Sequence, residues 1–370
     1  MGQIADVRDG THESPKYVSQ NGYPLITSKN LENGTINFDD ISYISKKDYE
    51  EINKRSLVEK NDILFGMIGT IGNVAIVKKS GFAIKNVALI KSNSEIPSIN
   101  LIQIIQSDIF KKYTNRLNSG NSQKFISLGD IRKFDFKMAS KSENMLISKL
   151  FKKVDTLLSL QQRKLELEKQ LKKFCLQNIL SDNKKCPNLR FHDFSTNWKK
   201  VKVGDIFTVT RGKVLSKDKI SKTKDHIMKY PVYSSQTLNN GLLGYYHDYL
   251  FEDAITWTTD GANAGTVRLR AGKFYGTNVN GVLLSKNGYV NDANAEALNQ
   301  IAWKYVSKVG NPKLMNNVMQ NIMFSIAPSV EEQVIISKLF ILHSKSLKIY
   351  QANINVYTQL KQFLLQNLFI

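Results

Sequence analysis

The sequence predicts an α+β chain in which two mixed α/β globular segments stand in tandem, each followed by one long helix. Three observations carry this. A helical segment occurs twice: ISKLF at 147–151 returns at 336–340, and LKKFCLQNIL at 171–180 is echoed by LKQFLLQNLF at 360–369, 189 residues apart in both places. Neither copy contains Gly or Pro, and both space their apolar residues by sevens. The segments between them break into short apolar runs separated by turn residues.

In chain order, residues 1–142 form the first globule. DILFGMIGT, GNVAIV and KNVALIK read as strands joined by Gly-containing turns, and NLIQIIQSDIFKKYTNRL (100–117) reads as helix. Residues 143–180 form the first long helix, with a seam of Ile147, Phe151, Val154, Leu158, Leu165, Leu171, Cys175 and Ile179 that Gln161 and Glu168 interrupt. Residues 181–330 form the second globule, entered through a linker at 181–186. DAITWTTDGANAGTVRL and GTNVNGVLLS are its strands, Asp260-Gly261 is a turn, and NAEALNQIAWKYVSKV (294–309) is helical. Residues 331–370 form the second long helix. Its seam runs through Ile336, Phe340, His343, Leu347, Tyr350, Ile354, Tyr357, Leu364 and Leu368, with Pro328 and Ser329 marking its start. A helix of about 34 residues is about 50 Å long and exposes an apolar stripe that it cannot bury alone. Two copies can cover each other, or each can pack on its own globule.

The globules align more loosely. GQIADVRDG (2–10) matches GDIFTVTRG (204–212), and YPLITSKNLENG (23–34) matches YPVYSSQTLNNG (230–241). The apolar frame is kept while the polar residues differ, as expected of one scaffold with two separate tasks.

Fifty-two basic residues against 32 acidic ones give a net charge of +20, and both globules share the excess. Distributed positive charge on a folded chain points to a polyanion, nucleic acid first. Two cysteines, Cys175 and Cys186, make neither a disulfide framework nor a zinc site. No signal core opens the chain and no apolar run is long enough to span a membrane. A catalytic constellation is not legible either. Gly66, Gly69 and Gly72 lack the spacing of a dinucleotide or phosphate loop. The five histidines are scattered, with no metal-ligand pair, and Asn311-Pro312-Lys313 is not the Asn-Pro-Pro-aromatic segment of an adenine methyltransferase.

A DNA reader needs Lys and Arg for phosphates and turn-borne polar residues for base edges. In the first globule the candidates are Thr27, Ser28, Lys29, Asn30, Thr70, Lys85, Asn86, Asn121, Gln123 and Lys124. In the second they are Ser234, Ser235, Gln236, Asp260, Asn263, Thr277, Asn278 and Asn316, with Arg211, Lys213 and Lys217 opening a basic stretch that continues to Lys229.

With those residues in place, the chain resembles the specificity subunits of type I restriction–modification systems. PNLRFHDFSTNWKKVKVGDIF (187–207) resembles the entry to a target recognition domain, DGTHESPKYVSQNGYPLITSKNL (9–31) the start of another, and IAPSVEEQVIISKLF (326–340) the passage into the conserved helix. The tandem layout covers essentially the whole chain. One feature departs from the pattern: PNLRFHDFSTNWKKV, which leads into the second globule, has no counterpart for the first within this sequence.

The resemblance implies a non-catalytic, cytoplasmic bacterial or archaeal subunit in which each recognition domain reads one half of a bipartite target on double-stranded DNA. The helices would pair as an antiparallel coiled coil, serving as spacer and as docking site for two modification subunits. Half-site centres would lie on the order of ten base pairs apart. S-adenosylmethionine would be bound by the modification subunits and ATP with Mg by a restriction subunit, none of them by this chain. Two other classes fit the length: a single-chain restriction or methyltransferase enzyme, and a structural coiled-coil assembly protein.

Overall fold

The computed structural model describes every residue except 20, 33, 69–71, 93–94, 118–124, 181–185, 236–237 and 370. The candidates Thr70, Asn121, Gln123, Lys124 and Gln236 therefore lie outside the described residues, as does the linker up to residue 185. The chain divides into two compact units. Unit 1 comprises Met1–Gln162 with Ala352–Ile370, and unit 2 is Arg163–Gln351.

Unit 1 begins with strands β1 (Val7–Asp9), β2 (Tyr23–Ile26), β3 (Leu31–Glu32), β4 (Thr35–Ile36) and β5 (Ser42–Ile44). Helix α1 (Lys46–Ser56) follows, then β6 (Ile63–Gly66), β7 (Val74–Ile76), β8 (Ala83–Ile84), β9 (Val87–Ile90), and helices α2 (Ser98–Gln106), α3 (Asp108–Leu117) and α4 (Leu128–Lys133). Helix α1, not expected from periodicity, starts where Ser45 accepts from the Asp48 backbone N–H while donating to the Asp48 carboxylate at 2.6 Å. The single helix expected over 100–117 is two: buried Ser107 ends α2 by donating its hydroxyl to the Ile104 carbonyl at 2.7 Å. Strands β6 and β9 are buried on both faces, which is why they read as unbroken apolar runs. One face packs on Val7, Leu101, Ile105, Phe110 and Phe134, and the other on Ile26, Leu31 and Phe82.

Unit 2 contains β10 (Lys199–Lys202), a helical turn α6 (Val203–Ile206), β11 (Thr208–Arg211), β12 (Tyr230–Tyr233), β13 (Leu242–Tyr246), β14 (Phe251–Thr258), β15 (Val267–Gly276), β16 (Asn280–Leu284), α7 (Asp292–Ile301), α8 (Asn316–Gln320) and β17 (Met323–Ile326). Its six-stranded sheet has the order β11-β16-β14-β15-β12-β13. Unit 1 repeats that order in two sheets, β1-β9-β6-β7 and β8-β2-β5, with the long β15 replaced by β7 and β8. Even the one parallel pairing recurs, β12 with β15 and β2 with β8. The aligned glycines explain themselves at this crossing. A Cβ on Gly10 would lie 2.1 Å from the Ile84 carbonyl oxygen, and one on Gly212 would lie 2.2 Å from the Gly276 oxygen. Both chains pass so close to the neighbouring strand that only glycine fits. The helix expected over 294–309 stops at Ile301 and tightens into a 3-10 turn, Ala302–Tyr305.

The two long helices are α5 (Lys141–Ile179) and α9 (Val330–Asn367), and each unit holds a stretch of both. They run antiparallel. In unit 1, Phe151 stacks on Phe369 with centroids 5.8 Å apart, Asp155 pairs with Lys361 at 2.8 Å, and Gln161 meets Asn353 at 3.5 Å. In unit 2, Glu168 meets His343 at 2.5 Å, and Cys175 and Ile179 share a core with Ile336 and Phe340.

The seam residues Ile147, Phe151, Val154, Ile336 and Phe340 are buried, and Leu158, Leu165, Leu347, Tyr350, Ile354 and Leu364 are half-buried. Leu171 is a correction: it is 48% exposed. Alternating steps of four and three from Ile147 pass through Gln161, Glu168 and Lys172, so the polar residues that looked like interruptions are themselves on the seam. Lys172 is held by Glu296 at 2.7 Å.

The strap ahead of β10 is tied to α9 through Glu332, which is fully buried. Arg190 grips both its oxygens at 2.7 and 2.8 Å, and the Trp198 indole donates to it at 3.2 Å.

Candidate nucleic-acid interface

In unit 1 the structure draws two of the singled-out stretches together. Thr27 caps the turn Ser28–Asn30, and its backbone N–H and hydroxyl both donate to the Asn30 side-chain oxygen at 2.9 Å. Asn30 donates in turn to the Asp40 carbonyl at 3.0 Å, and Ser28 donates to the Asn86 carbonyl at 3.2 Å. Ser28 and Asn30 are buried, so they shape this loop instead of facing outward. Lys29 is exposed and 3.1 Å from Asp40, and half-buried Lys85 donates to Ser14 at 3.1 Å.

Asn86 adopts a left-handed conformation, φ 54°, which asparagine tolerates better than most residues. Its side chain meets His12 Nδ1 at 2.8 Å, and His12 Nε2 meets Asp9 at 3.0 Å. Arg55 reaches the same Asp9 at 3.0 Å and the Gly10 carbonyl at 3.0 Å. His12 and Arg55 were not singled out from the sequence. Both line a cleft of about 350 Å³ with Thr11, Glu13 and Glu51.

In unit 2, Arg211 at the end of β11 donates to the Asn278 carbonyl and lies 3.3 Å from the Asp260 carboxylate, with Lys313 4.0 Å from that same group. Asn316 donates to the Thr210 carbonyl at 3.3 Å. Arg211, Asp260 and Asn278 thus form one polar group, with Asn316 tied to the neighbouring residue of β11. Lys213 runs beside Thr277 in a single parallel bridge, and Thr277 is buried with its hydroxyl unpartnered among the described residues. Lys213 and Lys217 are exposed, Lys217 in a short 3-10 turn apart from that group. Asn263 donates to the Ser235 carbonyl at 3.1 Å, and it lines a second cleft together with Ser234.

The strongest charges of that second cleft were missed from the sequence. Its floor is the polar face of the sheet: Thr256 and Thr258 on β14, Arg268 and Arg270 on β15, and Asn280 on β16. Arg270 lies over the Tyr233 ring, 3.7 Å from its centroid, and donates to Thr256 at 3.2 Å and to the Asn240 carbonyl at 2.8 Å. Arg268 donates to the Asn240 side chain. Asn239 and Asn240, both at positive φ, form the loop that turns these acceptors inward. Burial pushes Arg270 down to about 10, and burial also lowers Arg268. The available signal was the spacing in VRLRAG: two arginines two apart on a strand share one face.

Comparison with known proteins places this architecture. The family model described as the type I restriction modification DNA specificity domain matches residues 1–169 and again 195–356. A Mycoplasma pneumoniae protein named as the N-terminus of a type I specificity subunit is 42% identical over 127 residues, 34% of this chain and 66% of that protein. The specificity subunit of the type I restriction enzyme MpnII from the same organism is 37% identical over 141 residues, 37% of this chain and 42% of that protein. This chain thus spans less than two thirds of these relatives.

The crystal structure of a type I restriction–modification S subunit from M. genitalium superposes with a TM-score of 0.69 at 17% identity, covering 100% of this chain and 94% of that one, a likeness of fold. Two family-model matches, one on each copy of the tandem unit, place the chain in the type I restriction modification DNA specificity family.

Proposed function

We propose that the chain is the DNA sequence-specificity subunit of a type I restriction–modification complex, a non-catalytic part in which each unit reads one half of a bipartite target. The observation that carries this is the pairing of sameness and difference. Both units have one strand order and one glycine crossing, yet their matching loops carry unlike polar residues, THESP and TSKN in one and KVLSK and SSQT in the other. A duplicated scaffold with diverged tips suits two readers of different sequences. Net charge of +20 supplies the general attraction to a duplex.

The helix pair is the spacer and the docking surface for two modification subunits. Support comes from a second stripe on α5, Leu146, Leu150, Leu157, Leu160, Leu167, Leu171 and Phe174, all exposed and spaced by threes, fours and sevens, with Lys153 and Lys164 at the two intervening places. S-adenosylmethionine is then the ligand of those subunits, and ATP with Mg that of a restriction subunit. Two free cysteines, one of them buried, suit a reducing cytoplasm.

The test is to replace residues 1–142 by the corresponding globule of another specificity subunit, express the chimera with its modification subunits, and map methylated adenines. One half of the recognised sequence should change and the other persist. A change in both halves, or in neither, would sink the two-reader assignment.

A further inference from the structure

The polar cleft of unit 2 occupies positions that the same fold fills with aliphatic side chains in unit 1. Strand registers fix the correspondence. Leu64 faces Ala75 across β6 and β7 as Thr256 faces Arg268 across β14 and β15. The next pair outward is Asp62 with Val77, joined by backbone hydrogen bonding, against Ala254 with Arg270. Val87 lies beside Gly66 as Asn280 lies beside Thr258. Leu64, Ala75, Val77 and Val87 are each 0% exposed. This fold therefore does not need arginine at either position; unit 2 carries two.

Among the described residues those arginines lack a counter-charge. Arg270 is 8% exposed, and the partners of both guanidinium groups are neutral: a tyrosine ring, a threonine hydroxyl and the carbonyl and amide oxygens of Asn240. Among the described residues, no carboxylate lies within ion-pair distance of either. Glu296, which acts on Arg268 from farther away, is held by Lys172 at 2.7 Å. Buried charge without an opposite partner is costly and uncommon. A second, independent sign sits in the same cleft: Asn280 is 2% exposed, and among the described residues its amide nitrogen has no acceptor. Two cations and one orphan donor thus surround a cavity of about 40 Å³, room for a group of a few atoms and too small for a nucleobase.

We propose that Arg268, Arg270 and Asn280 form a subsite for a single phosphate-sized oxyanion. Guanidinium forks and an amide N–H are all donors, and such a ligand presents mainly acceptor oxygens. The assignment stands apart from the DNA-reading proposal: the phosphate can come from a nucleic-acid backbone or be free in solution.

The first experiment compares thermal unfolding of the full chain in inorganic phosphate and in chloride of equal ionic strength. Phosphate should raise Tm by a few degrees. Arg270→Met and, separately, Arg268→Met should lose most of that shift and weaken phosphate binding at least tenfold, whereas Arg270→Lys should retain part of it. General salting-out by phosphate acts on every variant alike and is removed by the comparison. Absence of a phosphate shift in the unsubstituted chain, or its full persistence in both methionine variants, would overturn the proposal.

A second arm separates the two sources by titrating a short duplex against salt. If the ligand is a backbone phosphate, Arg270→Met lowers the slope of log affinity on log salt by about one. If the ligand is free phosphate, the slope stays while the phosphate shift is lost.

Discussion

Arg270 illustrates how a single residue can weaken the fold that holds it. Burial pushes its pKa down to about 10, well below the ordinary arginine value, so the unfolded chain holds that proton more tightly than the folded one does. Linkage then gives the sign. The folded state gains stability as pH rises from about 10 towards the ordinary arginine value, and at neutral pH it carries the full penalty, on the order of 3 kcal/mol. Methionine at this position keeps contact with the Tyr233 ring and removes the charge. It also removes two hydrogen bonds, each worth about 1 kcal/mol. The net expectation for Arg270→Met in phosphate-free buffer at neutral pH is a gain on the order of 1 kcal/mol, read as a higher urea midpoint. A clear loss of stability would make Arg270 part of the framework instead. Sequence reading passed over this residue because alternating arginines on a strand look like a solvated face, whereas the Tyr233 ring and the loop at Asn239 and Asn240 cover this one. The same limitation explains Ser28 and Asn30. Polar residues on a turn look free until the turn's own hydrogen bonds use them.

Among the elements, α5 carries two apolar stripes, and the sequence made one of them visible. Following apolar residues alone drew the seam through Leu171, whereas strict heptad steps draw it through Lys172. Partner chemistry was the hidden variable. Glu168 and Gln161 belong on the seam because α9 offers His343 and Asn353 there, and nothing in the local pattern of α5 announces this. Leu171 falls instead on the second stripe with Leu157, Leu160, Leu167 and Phe174, none of which the fold covers. Exposed leucines at heptad spacing are poor for solubility unless a partner buries them. Leu157→Glu with Leu160→Glu should therefore abolish co-purification of the modification subunits while leaving the far-UV circular dichroism spectrum and the urea midpoint nearly unchanged. Loss of helicity in that variant would put these leucines in the fold's own packing.

At the scale of the whole molecule, duplication was legible from a repeat 189 residues apart and from Gly10 aligned with Gly212. What the alignment could not give was that the two sheets share strand order and register. That register supplies a direct exchange between copies. Ala75 in unit 1 and Arg268 in unit 2 occupy one position of one fold, but their surroundings differ. Ala75 is 0% exposed in an apolar cluster with Leu31, Leu64, Phe82 and Leu89. Arginine there would be a buried, unpaired charge as well as an overpacked side chain, a cost of several kcal/mol against a domain's marginal stability of about 5–15 kcal/mol. Alanine at 268 would remove a charge from a cleft already lined with polar groups and leave the core on the other face, Ile255, Trp257, Val267 and Leu283, untouched. Ala75→Arg should thus render unit 1 sensitive to limited proteolysis, and Arg268→Ala should leave unit 2 resistant. Equal tolerance of both substitutions would mean that unit 1 also has an opening onto that face. Equal damage would mean that the arginines hold the second sheet together, and the contrast between a filled face and a cation-lined one would then have no bearing on what each copy recognises.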